Sequence, residues 1–315
     1  MPFTFHSHSG QFCRHAKGTL EAVVTGAIAR GLLVLGLTEH VPRSRAQDLY
    51  PEEAGMTTDD LHAAFDAYVA EARRLRTKYG DQIAILIGAE TEHITPDSLA
   101  EAKQLRVKHG LDYLVGSLHH VDEIPVDFSP ETYDQIVQHC AGDRSEMYRR
   151  YFDSQLTMLQ GLKPEVVGHF DLIRIFHPAI PGVEDPLQTA EIRALALRNI
   201  DYAISYGAVF EINTRAWKKG LQDAYPQRDI LAEILQRGGR VTIADDSHGA
   251  QDLCMHYDRL HAYLCDMGIT DLYYLRRAPG GGVEARVLEN AVEHEFWTAN
   301  GFVRSGAACA NKSTA

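Results

Sequence analysis

The sequence predicts an α/β fold in which parallel strands close into a barrel. Three observations predict it. Short β-branched apolar runs alternate with longer amphipathic stretches from one end of the chain to the other. Seven or eight such units fit within 315 residues, which favours closure over an open sheet. No internal repeat and no Pro/Ser-rich linker divides the chain, so residues 1–305 read as one domain and 306–315, small and polar, as a loose tail.

In chain order, strands are expected at Leu33–Leu37, Ile83–Ile87, Tyr113–Leu118, Val166–Gly168, Ala208–Ile212 and Val241–Ile243. Weaker patterns suggest a first strand at Phe3–Phe5 and a last at Leu272–Leu275. Between them, Thr58–Tyr79 carries Leu61, Phe65, Tyr68, Ala72 and Leu75 at helical spacing, one stripe to bury. Thr95-Pro96 reads as the N-cap and first turn of a helix over Asp97–Lys108. Val41–Met56 is a long irregular connection, the kind of loop that forms a lid or a substrate wall.

A hydrophobic share of 45% and a charged share of 23% suit a globular chain with a large core. The start has no basic segment leading into an apolar one, which argues against a secretory signal. No run of about 18 apolar residues suggests a membrane span. Five irregularly spaced cysteines (Cys13, Cys140, Cys254, Cys265, Cys309) fit reduced cytoplasmic thiols better than a disulfide framework. The net charge of −12, without a basic run, argues against nucleic acid and for a small-molecule partner. Oligomeric state is left open.

The sixteen histidines matter for where they fall. His6 and His8 end the first strand, Glu39-His40 the second, and Glu90 the third. His119-His120 ends the fourth, His169 the fifth, and Asp245-Asp-Ser-His248 the last of the confident strands. In α/β barrels the C-terminal strand ends form one rim, where active sites are built. Residues i and i+2 of an extended chain point to one side, so His6 with His8, and Asp246 with His248, are able to grip one ion. Each motif alone has an ordinary explanation: a chance His-x-His, a sheet-edge pair, a helix cap at Asp171. Six strand ends carrying such residues together do not. Imidazole with carboxylate suits zinc, iron or manganese, and Glu90 has two oxygens with which to bridge a pair of ions. His62, His109, His139, His256, His261 and His294 lie in or beside helices and read as packing or surface residues. His93 and His177 stay open, and Cys13, two residues before His15, reads as a buried thiol ahead of a thiolate ligand.

The ordered set His6-x-His8, Thr38-Glu-His40, Gly88-x-Glu90, Gly116-Ser-x-His119, Gly168-His-x-Asp171 and Asp246-x-His248 resembles the polymerase-and-histidinol-phosphatase (PHP) superfamily. His6-Ser-His-Ser-Gly-Gln-Phe-Cys13 with His15, Gly36-Leu-Thr-Glu-His-Val-Pro-Arg43 and Glu211-Ile-Asn-Thr214 resemble its histidinol-phosphatase branch. The resemblance runs from His6 to about His248. It implies a distorted (β/α)7 barrel, similar to a TIM barrel, holding two or three divalent ions. It places His6, His8, Glu90 and Asp246 on one ion, Glu90, His119 and His169 on a second, and His15, His40 and His248 on a third. It further implies hydrolysis of L-histidinol phosphate, a phosphate monoester, in histidine biosynthesis, with a metal-bridged hydroxide attacking phosphorus in line. Thr4 stands where the family often carries an acid, and Lys218 where the branch usually carries arginine.

A formal count shows what else such a site needs. Two ions bring about +4 against roughly −5 from Glu90, Asp246, hydroxide and monoester, leaving about −1. A third ion or a protein cation is therefore required, and Arg174, Arg215 and Lys218 are the candidates. Asp171 and Glu39 are candidates for the general acid or for orienting a histidine. Asp48, Glu52, Glu53, Asp122 and Glu123 are candidates for the substrate's cationic groups. Rival readings are a PHP-type phosphodiesterase or exonuclease, an amidohydrolase-like hydrolase, and a non-catalytic metal-binding domain.

Overall fold

The computed structural model of the protein describes residues 2–177, 184–303 and 309. Of the tail expected at 306–315, all but Cys309 lies outside these residues.

Seven parallel strands form the barrel: β1 (Phe3–Thr4), β2 (Val34–Leu37), β3 (Ala84–Glu90), β4 (Tyr113–Gly116), β5 (Val166–Val167), β6 (Val209–Asn213) and β7 (Arg240–Ala244). They pair in chain order. The seam between β7 and β1 closes just beyond their ends, where Ser7–His8 and Ser247–His248 pair in parallel, His8 opposite His248. This closure sets two metal-binding residue types side by side. The strands are short and almost wholly buried, as helices on the outer face require. The six confident strands lie where the sequence places them, with β3 running on to Glu90. One expectation is corrected. Leu272–Leu275 belongs to β8 (Leu272–Arg277), which pairs antiparallel with β9 (Val283–Leu288) outside the barrel. Its partial burial, with Leu272 and Leu275 buried and Arg276 and Arg277 exposed, marks a hairpin packed on one side, which an apolar run alone does not distinguish from a barrel strand.

Ten helices flank the strands among the described residues: α1 (Leu20–Ala29), α2 (Thr58–Tyr79), α3 (Pro96–His109), α4 (Pro130–His139), α5 (Arg144–Leu162), α6 (Ala190–Ser205), α7 (Arg215–Lys218), α8 (Arg228–Gln236), α9 (Tyr257–Asp266) and α10 (Phe296–Ala299). The helix α2 shows how sequence sets them. Thr57 accepts from the Asp60 amide, and the Asp60 carboxylate accepts back from the Thr57 amide at 2.8 Å, a reciprocal cap that fixes the start. Its predicted stripe is buried, and the Tyr68 hydroxyl donates to the carbonyls of Leu37 or Gly88 at 2.7 and 2.8 Å, tying the helix to β2 and β3. None of these helices is long and apolar enough to cross a membrane.

The barrel interior is filled, not hollow. The Tyr113 hydroxyl donates to the Phe5 carbonyl at 2.7 Å, one residue before His6. Gly36 makes this possible, since a Cβ there would lie 1.9 Å from the Tyr113 hydroxyl. Gly36→Ala should therefore destabilise the fold by about 1–3 kcal/mol through overpacking, read as a lower denaturation midpoint. An unchanged midpoint would show that Tyr113 is not held there.

The cysteine expectation is corrected too. Cys13, Cys140 and Cys254 are free and buried, but Cys265 and Cys309 form a disulfide across 44 residues. Their Cα atoms lie 5.4 Å apart, within bridging range. An odd count and irregular spacing carry no trace of such a contact.

Candidate metal centre

Glu90 ends β3 and is 2% exposed. It faces five imidazoles. Its Oε1 lies 3.0 Å from His6 Nε2, 3.3 Å from His119 Nε2 and 3.1 Å from His169 Nε2. Its Oε2 lies 3.3 Å from His8 Nε2 and 3.1 Å from His40 Nδ1. Strand register explains the convergence, because His6 and His8 follow one strand, His40, His119 and His169 each follow another, and His40 forms a bridge with Glu90 itself.

Asp246 completes one side, with Oδ1 3.7 Å from His6 Nε2 and 3.5 Å from His8 Nε2. Its φ of 46° is the left-handed conformation that aspartate tolerates better than most residues. Asp245 turns away and accepts from Thr4 Oγ1 and the Cys254 amide. His248 stacks against His8 at 4.6 Å between centroids and against His15 at 5.0 Å. The donor atoms of His6, His8 and Asp246 lie within 4.8 Å of one another, as do those of His6, Glu90 and His169, and of His8, His40 and His248. His15 groups instead with His40 and Cys13, whose sulfur is 3.2 Å from its Nε2. All nine residues expected to bind metal thus meet at one rim, and Glu90 stands between the subsets.

The electrostatics fit cations. Burial would push the carboxyls of Glu90 and Asp246 up, but the surrounding imidazoles outweigh it and hold both well below the usual range. Burial opposes charge on His8, yet the neighbouring carboxylates of Asp246, Glu39 and Glu90 lift it to about 10. His15 goes the other way, to about 3, through burial and the charges of His40 and His8. His6 Nε2, His119 Nδ1 and both ring nitrogens of His8 and His40 are buried without a hydrogen-bond partner. Unpaired imidazole nitrogens around two carboxylates are the donor set of a transition-metal cluster. The residues present fit divalent ions.

Four expected roles meet a different geometry. Arg174 is buried among three carboxylates, with Asp171 at 3.2 Å, Asp185 at 2.5 Å and Asp229 at 2.7 Å. It does not line the cavity. Asp171, lifted to about 6 by burial, accepts from Arg174 and the Gln227 amide, so it fixes a loop and does not line the cavity. Glu39 accepts from the Ser9 amide and hydroxyl at 2.8 and 2.6 Å and backs His8, which leaves it an orienting role. Lys218 is bound to both oxygens of Asp252. Arg215 does reach the cavity, donating to the Asp246 carbonyl at 3.0 Å and to Asp252 at 3.2 Å.

The sequence reading assigned no role to Glu211, Glu92 or Lys219. Glu211 holds His6 Nδ1 at 3.1 Å and the His169 amide at 2.8 Å. Glu92 lies between His40 and His119, at 3.0 and 3.5 Å. Lys219 lines the cavity and pairs with no carboxylate among the described residues. The cavity itself holds about 280 Å³ and is walled by Tyr50, Glu52, Asp127, Phe128 and Tyr225 beyond the metal residues. Tyr50 and Glu52 come from the loop 41–56, which thus forms a substrate wall.

The PHP domain family matches residues 4–215. A Schizosaccharomyces pombe protein named "probable histidinol-phosphatase" is 46% identical over 95% of this chain and 96% of its own. The chain belongs to the PHP family, in its histidinol-phosphatase branch. The Saccharomyces cerevisiae histidinol-phosphatase is 30% identical, over 83% of this chain and 88% of its own. Among solved structures, a Lactococcus lactis histidinol phosphate phosphatase in complex with zinc, L-histidinol and phosphate superimposes with a TM-score of 0.65 at 23% identity. It covers 90% of this chain and 98% of its own. This PHP-family barrel is the fold the sequence predicts.

Proposed function

We propose that this chain is a metal-dependent phosphomonoesterase that hydrolyses L-histidinol phosphate to L-histidinol and phosphate in histidine biosynthesis. The single observation that carries it is Glu90, whose two oxygens face separate sets of histidines, five in all from four strand ends. His6, His8, Glu90 and Asp246 would hold one divalent ion, and Glu90, His119 and His169 a second. His15, His40 and His248 would hold a third; the charge count calls for either that ion or a protein cation against the phosphate. Zinc, iron and manganese all suit the donors. When bound, the ions lower the pKa of a coordinated water and neutralise charge on the phosphoryl oxygens.

The protein's own groups do the rest. Glu211 accepts the His6 Nδ1 proton and leaves Nε2 free to donate its lone pair. Arg215 and Lys219 offer positive charge to the phosphate from the cavity wall, in place of Arg174 and Lys218. The acidity of the whole chain supports a small monoester over nucleic acid. Three buried free thiols support a cytoplasmic setting, and the Cys265–Cys309 bond runs against it.

The test is metal analysis of protein purified without chelator, paired with hydrolysis of L-histidinol phosphate and of an oligonucleotide. Two or three ions per chain and turnover of the monoester alone are expected. Chelation should abolish turnover, and zinc, iron or manganese should restore it. Preferential cleavage of the oligonucleotide would replace this reading with a PHP-type nuclease.

A further inference from the structure

Two carboxylates of the cavity wall, Glu52 and Asp127, have no work in the metal cluster, and Asp127 is the more buried of them. Of the five acids expected to meet the substrate's cationic groups, four are engaged elsewhere. Asp48 and Glu123 share Arg45, Glu53 pairs with Arg43, and Asp122 pairs with Arg150. Glu52 reaches the cavity but is exposed on the lid. Asp127 lines the same cavity, is half-buried, and makes no ion pair or side-chain hydrogen bond among the described residues.

Its position is fixed from both sides. The preceding Val126 is fully buried and donates its amide to the carbonyl of His119 at 2.8 Å, so the segment is pinned to a metal-facing residue. Two residues on, Ser129 caps α4 by accepting from the Thr132 amide. Tyr50 and Tyr225 line the same cavity as Asp127. Next to it Phe128 is 46% exposed and also lines the cavity. A phenyl ring beside an unpaired carboxylate on one cavity wall is well suited to a flat, cationic ligand.

We propose that Asp127 and Phe128 select the organic half of the substrate, the carboxylate taking its ammonium and the phenyl ring packing on its imidazole. This rests on the reading of L-histidinol phosphate as substrate. The division is chemical: Arg215, Lys219 and the metal residues meet the anionic end, and Asp127 is the anion left for the cationic end.

Three esters separate the contributions: L-histidinol phosphate, the amine-free imidazolylpropyl phosphate, and ethanolamine phosphate, which lacks the ring. Asp127→Asn should raise KM about 10- to 100-fold for both amine-bearing esters and leave the amine-free ester within about 2-fold. Phe128→Ala should raise KM about 5- to 10-fold for the two imidazole esters and spare ethanolamine phosphate. Metal content and thermal midpoint should match the parent chain in both variants. By calorimetry, Asp127→Asn should weaken L-histidinol binding by the same factor and leave inorganic phosphate unchanged. Equal losses on all three esters, or none, would overturn the assignment. If the parent chain itself shows no preference for the amine, the substrate reading fails as well; if it shows one that Asp127→Asn keeps, Asp127 alone is wrong.

Discussion

Glu90→Gln should strip the protein of metal and lower kcat/KM at least ~10³-fold, a loss of about 4 kcal/mol in transition-state stabilisation. The substitution keeps the size and removes one charge. Two consequences follow from the geometry. First, an amide has one acceptor oxygen, whereas Glu90 presents Oε1 to His6, His119 and His169 and Oε2 to His8 and His40. One of the two sets would then face an NH2 group, which cannot bind a cation. Second, the formal charge of the donor set falls from −2 to −1, so holding two divalent ions becomes costlier in a buried site.

The readouts separate these effects from misfolding. In the parent chain, added zinc should raise the thermal midpoint, because ligand at 100 times its dissociation constant stabilises the native state by about 2.7 kcal/mol. In Glu90→Gln that shift should shrink to near zero while the metal-free midpoint survives. Acid should mimic the substitution. The carboxylates favour protons on His6, His8 and His119 in the absence of cations, so protons compete with metal, and affinity should fall as pH falls. A fully active, metal-replete Glu90→Gln protein would remove the bridging role and the reading built on it.

The ligand rim was legible in the sequence because it obeys two simple periodicities. A strand end marks the rim, and a two-residue step keeps His6 with His8 and Asp246 with His248 on one side. The choice of Asp246 over Asp245, and of His119 over His120, rested on the same step and on motif order, and the coordinates place those atoms in the cluster. What sequence could not supply is orientation over long separations. Arg174 follows His169 closely, yet its side chain is captured by Asp185 and Asp229, which no local pattern announces. Lys218 ends a four-residue helix and Lys219 caps it; one helical step turns the side chain by about 100°, so which lysine sees the cavity depends on a phase that so short a segment does not reveal. Glu211 reads as an apolar-flanked acid in a buried strand, and its partner His6 is 205 residues away. The disulfide and the outlying β8–β9 hairpin were missed for the same reason: both are tertiary pairings.

Glu211→Gln should weaken metal binding by about 10- to 100-fold, the usual cost of disturbing a group that orients a ligand, and turnover should recover in excess metal. The Glu211 Oε1 already accepts from the His169 amide and the Asn213 side chain, each at 2.8 Å. A glutamine would keep its oxygen there and turn its NH2 toward His6 Nδ1, where the parent chain has Oε2 at 3.1 Å. A donor in that place demands an acceptor, so Nδ1 gives up its proton and Nε2 takes one. The nitrogen that faces Glu90 and Asp246 then carries hydrogen where a metal needs a lone pair. The defect is one of tautomer, not of fold or charge alone, and the position of the imidazole proton on His6, read by nitrogen NMR of the metal-free protein at a pH high enough for His6 to be neutral, should move from Nδ1 to Nε2. Rescue by metal without that move would mean Glu211 acts through charge; unchanged affinity would mean it does not act on His6 at all.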